Sequence, residues 1–534
     1  MASRPRIVTA QEAARVIPSG ATMAASAMGL AGWAEEVALA IRDRFLATGQ
    51  PRGLTLVHST GLGNWKDKGG HHLAHEGLLA RWIGGHIGAS PELARLVMQN
   101  KCQGYCLPQG VVVHLYREIA AKRPGVLTKV GIQTFIDPRL EGGRLNSISH
   151  EERVKVVQFE GDEYLFYPTF PIHVGLIRGS VADENGNLTQ DREGVLLEAL
   201  PVAQAAKNCG GIVIAQVEQI AKAGSLHPKR VKVPGILVDF IVVAKPENHM
   251  QTAGQYYEPA FAGELKIPLG AIPKLPFDER VIIGRRSAME LTPGAIVNLG
   301  IGMADCVATI AAEEGASDLI TLTTELGNIG GVPAAGHLDF GHAYNGEATV
   351  EHQSQFDWYD GGGLDLACLG MAEADQFGNV NVSKFRGRAI GCGGFVNITY
   401  SSKKVVFCGS FTAQGLKVTG QDGRLVILEE GKTKKFTRLV EQVTFSGKYA
   451  SSVRRPVLYV TERAVFTLED GQMTLIEIAP GVDLERDVLA QMEFVPRIST
   501  NLRPMLPALF NPVWGGLRQF VEGSEHPKSK CVPA

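Results

Sequence analysis

The chain has 534 residues, more than one hydrophobic core commonly supports, so at least two domains are expected and a small disulfide-stapled module is excluded. Hydrophobic residues make up 45% and charged residues 20%, which describes an ordinary globular chain and not a disordered, collagenous or coiled-coil one. Lys and Arg number 53 against 55 Asp and Glu, a net charge of −2 that argues against nucleic acid or anionic lipid as a partner.

Residues 1–12 lack the apolar core of a secretory signal, and Gln11-Glu12 argues against an acid-poor transit peptide, so a cytoplasmic location is expected. Residues 14–29 lead into a helical pattern over 33–45, and Leu54-Thr-Leu-Val-His58 reads as a buried strand. Gly61-Leu-Gly-Asn-Trp65 lacks the lysine and hydroxyl of a phosphate-binding P-loop, and no G-x-S-x-G elbow occurs. His71 and His75 stand at i and i+4, but no third ligand is identifiable beside them or Glu76, so no metal is expected. The eight cysteines include one C-x-x-x-C pair, Cys102 and Cys106, and read as reduced, mostly buried thiols. Residues 211–215 and 236–243 continue the strand pattern; the second run is too short to span a membrane. Strands alternating with helical patterns predict α/β architecture with mainly parallel sheets.

The chain also echoes itself. Residues 14–29 resemble 288–302, and Asp183-Glu-Asn-Gly-Asn187 resembles Asp375-Gln-Phe-Gly-Asn379, in the same order, so two related open α/β domains in tandem are expected. The prolines of 258–277 belong to neither helix nor central strand and set the boundary between domains 1–277 and 278–534. Beyond about 410, turn signals at Asp422-Gly423, Glu430-Gly431 and Asp470-Gly471 predict β-hairpins elaborating the second domain.

Residues 318–331 read as a buried strand ending in Glu325 and running into a glycine-rich loop, the carboxyl-end position at which open α/β sheets bind ligands. Glu325 is either a nucleophile or base, or it hydrogen-bonds its own turn. Asn298-Leu299-Gly300-Ile301-Gly302 and Gly391-Cys-Gly-Gly-Phe395 are loops whose N–H groups can face an anion or an oxyanion; each alone is also compatible with a plain turn. Gly302 precedes Glu325 by 23 residues, the spacing of a dinucleotide fingerprint, but Asp305 stands where that fingerprint needs a small residue, which counts against an NAD-dependent oxidoreductase. The aromatics and glycines of 354–365 wall a pocket or form a structural turn.

Thr324-Glu325-Leu-Gly-Asn-Ile-Gly-Gly331, Ser354-Gln-Phe-Asp357, Gly361-Gly-Gly-Leu-Asp365, Gly391-x-Gly-Gly-Phe395 and Ile478-Ala-Pro-Gly-Val-Asp483 together resemble the family I CoA-transferases, in particular their single-chain acetate/propionate branch, which is related to succinyl-CoA:3-ketoacid CoA-transferase. Phe135-Ile-Asp-Pro-Arg139, Leu226-His-Pro-Lys229 and Leu107-Pro-Gln-Gly110 extend the resemblance across the chain. It implies ping-pong transfer of CoA from a short-chain acyl-CoA to a carboxylic acid, with Glu325 as nucleophile and an active site at the domain interface. Asn298, Leu299, Gly300, Ile301 and Gly302 would contact CoA. Ile390, Gly393 and Gly394 would belong to a second CoA and oxyanion loop, and Gln109 with Gly110 to the acyl or carboxylate pocket. CoA enters as a substrate carrier, no permanent cofactor or metal is needed, and a homo-dimer or tetramer is expected. Leu326 replaces an Asn of some relatives, and Gln414 a CoA-binding lysine, with Lys417 close enough to substitute. An acyl-CoA hydrolase or a non-catalytic ligand sensor on the same scaffold are the other readings.

Overall fold

Runs rich in aliphatic and β-branched residues make strands covered on both faces: Leu54–Gly61 and Val174–Arg178 are buried at every position. The structure, a computed structural model, describes residues 4–268 and 276–525. Residues 269–275 of the proline-rich stretch and Cys531 lie outside the described residues. The chain divides into two compact units. The first holds the residues up to Leu265 together with Thr349–Asp357 and Ser383–Asn397; the second holds Lys266–Ala348, Trp358–Val382 and the residues from Ile398 onward.

The sheet of the first unit runs in the order Arg6–Ile7, Phe240–Val243, Ile212–Val217, Val174–Arg178, Thr22–Ala25, Leu54–Gly61, Leu79–His86, Gln103–Cys106. Every adjacent pair is parallel. In the second unit the order is Asn328–Ile329, Thr321–Thr323, Ile296–Leu299, Leu366–Gly370, Val405–Cys408, Val457–Val460, Ala464–Glu469, Gln472–Ile478, Arg497–Pro504. It is parallel from Thr321–Thr323 to Val457–Val460 and continues through an antiparallel pair of hairpin strands.

The two sheets repeat one plan. In each, the strand named by the first sequence echo, Thr22–Ala25 or Ile296–Leu299, lies between the next strand in sequence and a later one, Val174–Arg178 or Leu366–Gly370. That later strand feeds the second echo, whose geometry recurs atom for atom. Asp183 Oδ1 accepts the N–H of Asn185 and of Asn187, each at 3.0 Å, and Oδ2 accepts Asn187 Nδ2 at 3.0 Å. Asp375 does the same with Phe377 N, Asn379 N and Asn379 Nδ2 at 3.0, 3.1 and 3.0 Å. The asparagine carbonyl then accepts a distant glycine, Gly235 N at 2.9 Å on Asn187 and Gly447 N at 3.0 Å on Asn379. These Asx turns explain why the motif keeps both its acid and its amide.

Two expectations change in detail. The 236–243 run is split: a short turn at Gly235–Leu237 leaves Ile236 exposed, and the strand begins only at Phe240. The cause is Gly235, which is tied to the Asx turn and has no room for a Cβ beside Asn185 O. Asp422-Gly423 and Asp470-Gly471 close hairpins with positive φ at both residues. Glu430-Gly431 does not, because Glu430 turns to the buried guanidinium of Arg463 and the following strand pairs with Thr412–Ala413 instead.

Candidate functional site

In the second unit, Thr321–Thr323 and Asn328–Ile329 pair antiparallel, and the turn between them carries Glu325. Gly327 N donates to Thr324 O at 3.1 Å with φ +105°, a conformation that needs glycine. Thr324 Oγ1 and Asn328 Nδ2 both donate to Gly341 O, at 2.9 and 3.1 Å, which pins the turn from beneath. Glu325 is held at 9% exposure, a carboxylate largely withdrawn from water at the carboxyl end of a parallel strand. Leu326, the departure from the Asn of some relatives, is fully buried against Gly341, so an apolar side chain anchors the residue after the acid.

Behind the strand, Tyr359 joins two parts of this unit. Its hydroxyl pairs with Thr323 Oγ1 at 2.6 Å and accepts Asn298 Nδ2 at 3.2 Å. Asn298 is thus buried and linked to the strand before Glu325, while its Oδ1 makes no hydrogen bond. Two donors of the Asn298–Gly302 loop are already engaged. Gly300 N donates to Cys368 O at 2.8 Å, and Gly302 N to Asp305 Oδ2 at 3.3 Å. Leu299 is buried, whereas Ile301 and Gly302 are exposed. Asp305, which also pairs with Arg280 at 2.9 Å, puts a carboxylate at the start of the helix Cys306–Glu313, where a dinucleotide would need its pyrophosphate. The chemistry of that position is unfavourable to the oxidoreductase reading.

Residues 354–360 of the aromatic run lie in the helix His352–Asp360, which ends before the glycines, with Phe356 and Tyr359 fully buried in their respective units. Lys417 pairs with Glu429 across its hairpin at 2.6 Å, and Gln414 accepts Thr433 Oγ1 at 2.9 Å.

The remaining candidates fall in the first unit. Ile390 N and Gly391 N both donate to Ser383 O, Gly393 N donates to Gly85 O, and Ile390 O accepts Ile87 N and Gly88 N. This loop is therefore stitched to the end of the strand Leu79–His86, and Gly394 is buried within it. Gln109 N donates to Gly393 O at 3.0 Å, bringing Gln109 to the same loop. Gly110 N donates to Asn397 Oδ1 at 3.0 Å, and a Cβ at 110 would strike Phe356 and Asn397. Cys106 and Cys392 approach to 3.7 Å as free thiols, and burial pushes Cys102 up to about 12. His72 lies 2.8 Å from Glu35, and the His75 ring packs on Phe45. Among the described residues no group of three or more His, Cys, Asp or Glu is arranged to hold a metal, and no helix is long and apolar enough to cross a membrane.

Sequence reasoning missed a buried chain behind Gln109. Ser59 Oγ donates to Glu198 Oε1 at 2.5 Å, His352 Nδ1 lies 2.6 Å from the same oxygen, and His352 Nε2 lies 3.0 Å from the Gln109 amide. Ser59, Glu198 and His352 are inaccessible to solvent and Gln109 nearly so. Their separation along the chain left no local pattern to read.

Residues 7–244 match the family described as Coenzyme A transferase. Over 518 residues, 96% of this chain and 98% of the other, the sequence is 53% identical to caffeate CoA-transferase of Acetobacterium woodii. The chain belongs to the coenzyme A transferase family. It is a CoA-transferase that is also 43% identical, over 95% of both chains, to acetate CoA-transferase YdiF of Escherichia coli O157:H7. The crystal structure of that acyl-CoA transferase in thioester complex with CoA matches at a TM-score of 0.90 with 41% identity, covering 96% of this chain and 97% of that one. The mitochondrial succinyl-CoA:3-ketoacid coenzyme A transferase 2B of Mus musculus is a distant relative, 25% identical over 80% of this chain and 78% of its own.

Proposed function

We propose that this CoA-transferase moves CoA from a short-chain acyl-CoA to a carboxylic acid by ping-pong chemistry on Glu325. The Glu325 carboxylate attacks the thioester carbonyl and expels CoA thiolate, leaving a mixed acyl-glutamyl anhydride. The thiolate attacks the glutamyl carbonyl, which forms the glutamyl-CoA thioester and releases the first carboxylate. An acceptor carboxylate attacks that thioester, the thiolate leaves, and its attack on the new acyl carbonyl yields the new acyl-CoA and frees Glu325.

Each addition places negative charge on a carbonyl oxygen, and backbone donors of the glycine loops, Gly394 foremost, are assigned to receive it. Asn298–Gly302 is assigned to CoA, and Gln109 with Gly110 to the carboxylate. The observation that carries this reading is the presentation of Glu325 in a glycine-dependent turn at the carboxyl end of a buried parallel strand.

Exchange of isotope-labelled acetate into acetyl-CoA, with no second acid present, tests it. Incorporation is expected, because the first half-reaction runs in both directions. Release of free CoA without incorporation would identify a hydrolase instead. The relative named for caffeate makes an aromatic acid the second acceptor to assay, beside acetate, propionate and butyrate.

A further inference from the structure

Lys435, in the second unit, is a buried cation that the protein leaves without a partner. It is 9% exposed, and among the described residues its Nζ makes no hydrogen bond and no ion pair. The neighbouring Lys434, by contrast, donates to Ala490 O at 2.7 Å and Met492 O at 3.3 Å. Glu462 is the charged group that acts on Lys435, but its carboxylate is already engaged: Oε1 accepts Arg463 Nε at 2.7 Å and Oε2 accepts Phe411 N at 2.9 Å. Burial pushes the ammonium down to about 8, against the opposing pull of Glu462, so it keeps its charge at neutral pH. A buried ammonium without a partner is costly, and an anion arriving from outside accounts for it.

The fold puts this ammonium at the end of the sheet where ligands bind. A Cβ at Gly409 would stand 2.9 Å from Lys435 Nζ and 2.9 Å from Met371 O, so Nζ lies where the parallel strands Leu366–Gly370 and Val405–Cys408 both end. A Cβ at Gly370 would meet Ile301 O at 3.5 Å, which brings the Asn298–Gly302 loop to the same row. Glu325 follows the strand Thr321–Thr323, which is separated from Leu366–Gly370 by Ile296–Leu299. Two to three strand spacings put Lys435 about 10–14 Å from the Glu325 end of the row. That is out of reach of a carboxylate reacting at Glu325, but it is a distance that the pantetheine arm of CoA spans. The first anionic group beyond that arm is the diphosphate; the 3′-phosphate lies further on, across the ribose.

We propose that Lys435 binds the diphosphate of CoA, with the pantetheine arm running from Glu325 past Asn298–Gly302 along the carboxyl ends of the strands. This rests on the reading in which Glu325 takes the thioester and Asn298–Gly302 contacts CoA. A compact ammonium suits a phosphate oxygen, and glycine at 409 leaves it room.

Three acyl donors test this: acetyl-CoA, acetyl-dephospho-CoA, which lacks only the 3′-phosphate, and S-acetylpantetheine, which lacks the diphosphate. In Lys435→Met the ratio of kcat/KM for acetyl-CoA to that for S-acetylpantetheine should fall at least about tenfold below the wild-type ratio, and the ratio for acetyl-dephospho-CoA should fall by the same factor. An unchanged ratio overturns the proposal, because a merely structural lysine penalises all three donors alike. A fall for acetyl-CoA alone also overturns it, since the contact would then be with the 3′-phosphate. A crystal structure of the wild-type protein with CoA reads the contact directly and decides alone should the variant not fold. Nζ within about 3.2 Å of a diphosphate oxygen is expected, and a diphosphate seated away from Nζ overturns the proposal. Failure of the Glu325 reading is separate: labelled-acetate exchange would then be missing from the wild type, while the contact in the crystal would stand.

Discussion

Gly341 and Leu326 are complementary: a Cβ at 341 would stand 2.9 Å from Leu326 Cγ, and closer still to Cδ1, so the space beside Gly341 is what the Leu326 side chain fills. Gly341 also supplies the carbonyl that accepts Thr324 and Asn328, and its φ is +88°. The residue thus sets both the packing and the hydrogen bonding of the turn that carries Glu325. Gly341→Ala combines backbone strain with overpacking, each of order 1–3 kcal/mol. Loss of at least about tenfold in kcat is expected, with a lowered Tm. A variant with wild-type kcat would show that the turn does not depend on this contact.

Tyr359→Phe removes one hydroxyl that serves both Thr323 and Asn298 while keeping the ring buried. Two buried polar groups lose a partner, at a cost of about 1–3 kcal/mol. Urea denaturation should show that loss for the second unit. Thr323→Val in the same background should add only the loss of the 3.1 Å bond from Thr323 Oγ1 to Val297 O, since the Tyr359 pair is already gone.

His58 predicts a pH dependence. Its Nδ1 lies 2.6 Å from Thr60 O, and its Nε2 accepts Trp82 Nε1 at 2.7 Å, so both ring positions are committed to the neutral form. Burial pushes its pKa down to about 4, against a smaller upward pull from the Thr60 carbonyl. The unfolded chain therefore takes up the proton first as pH falls. Stability contributed by this group is complete above about pH 6.5 and is lost down to about pH 4, by about 3 kcal/mol in all. Unfolding free energies of the wild type and His58→Gln should converge over that window. Parallel curves would contradict this assignment.

The paired Asx turns give a matched prediction. Asn187→Ala and Asn379→Ala each remove the acceptor of a distant glycine N–H and a donor to the turn's own aspartate. Each should cost about 1–3 kcal/mol, read by chemical denaturation. A negligible cost at either site would mean that the repeated motif does not brace its own half of the chain.

Much of this was legible in the sequence because it is local. The parallel strands announced themselves as aliphatic runs, and the two echoes named equivalent strands and equivalent Asx turns. Glu325 stood out because a strand, an acid and glycines follow one another without a gap. What was not legible depends on partners far along the chain. Residues 383–397 count with the first unit because their backbone bonds to Gly85, Ile87 and Gly88. Nothing near Glu430 signals Arg463, and nothing near Gln109 signals Glu198 or His352. The Asn298–Gly302 loop looked open to an anion, yet Cys368 O and the Asp305 carboxylate take two of its donors.

In the proposed mechanism Glu325 becomes covalently attached to CoA. Intact mass spectrometry of the protein incubated with acetyl-CoA and no acceptor, beside Glu325→Gln, tests it most directly. A CoA adduct is expected on the wild type that is discharged by added acetate, maps to the peptide containing Glu325 and is missing from the variant, with turnover in the variant reduced by at least about four orders of magnitude. An adduct that persists in Glu325→Gln, or transferase turnover that survives the substitution, would contradict it.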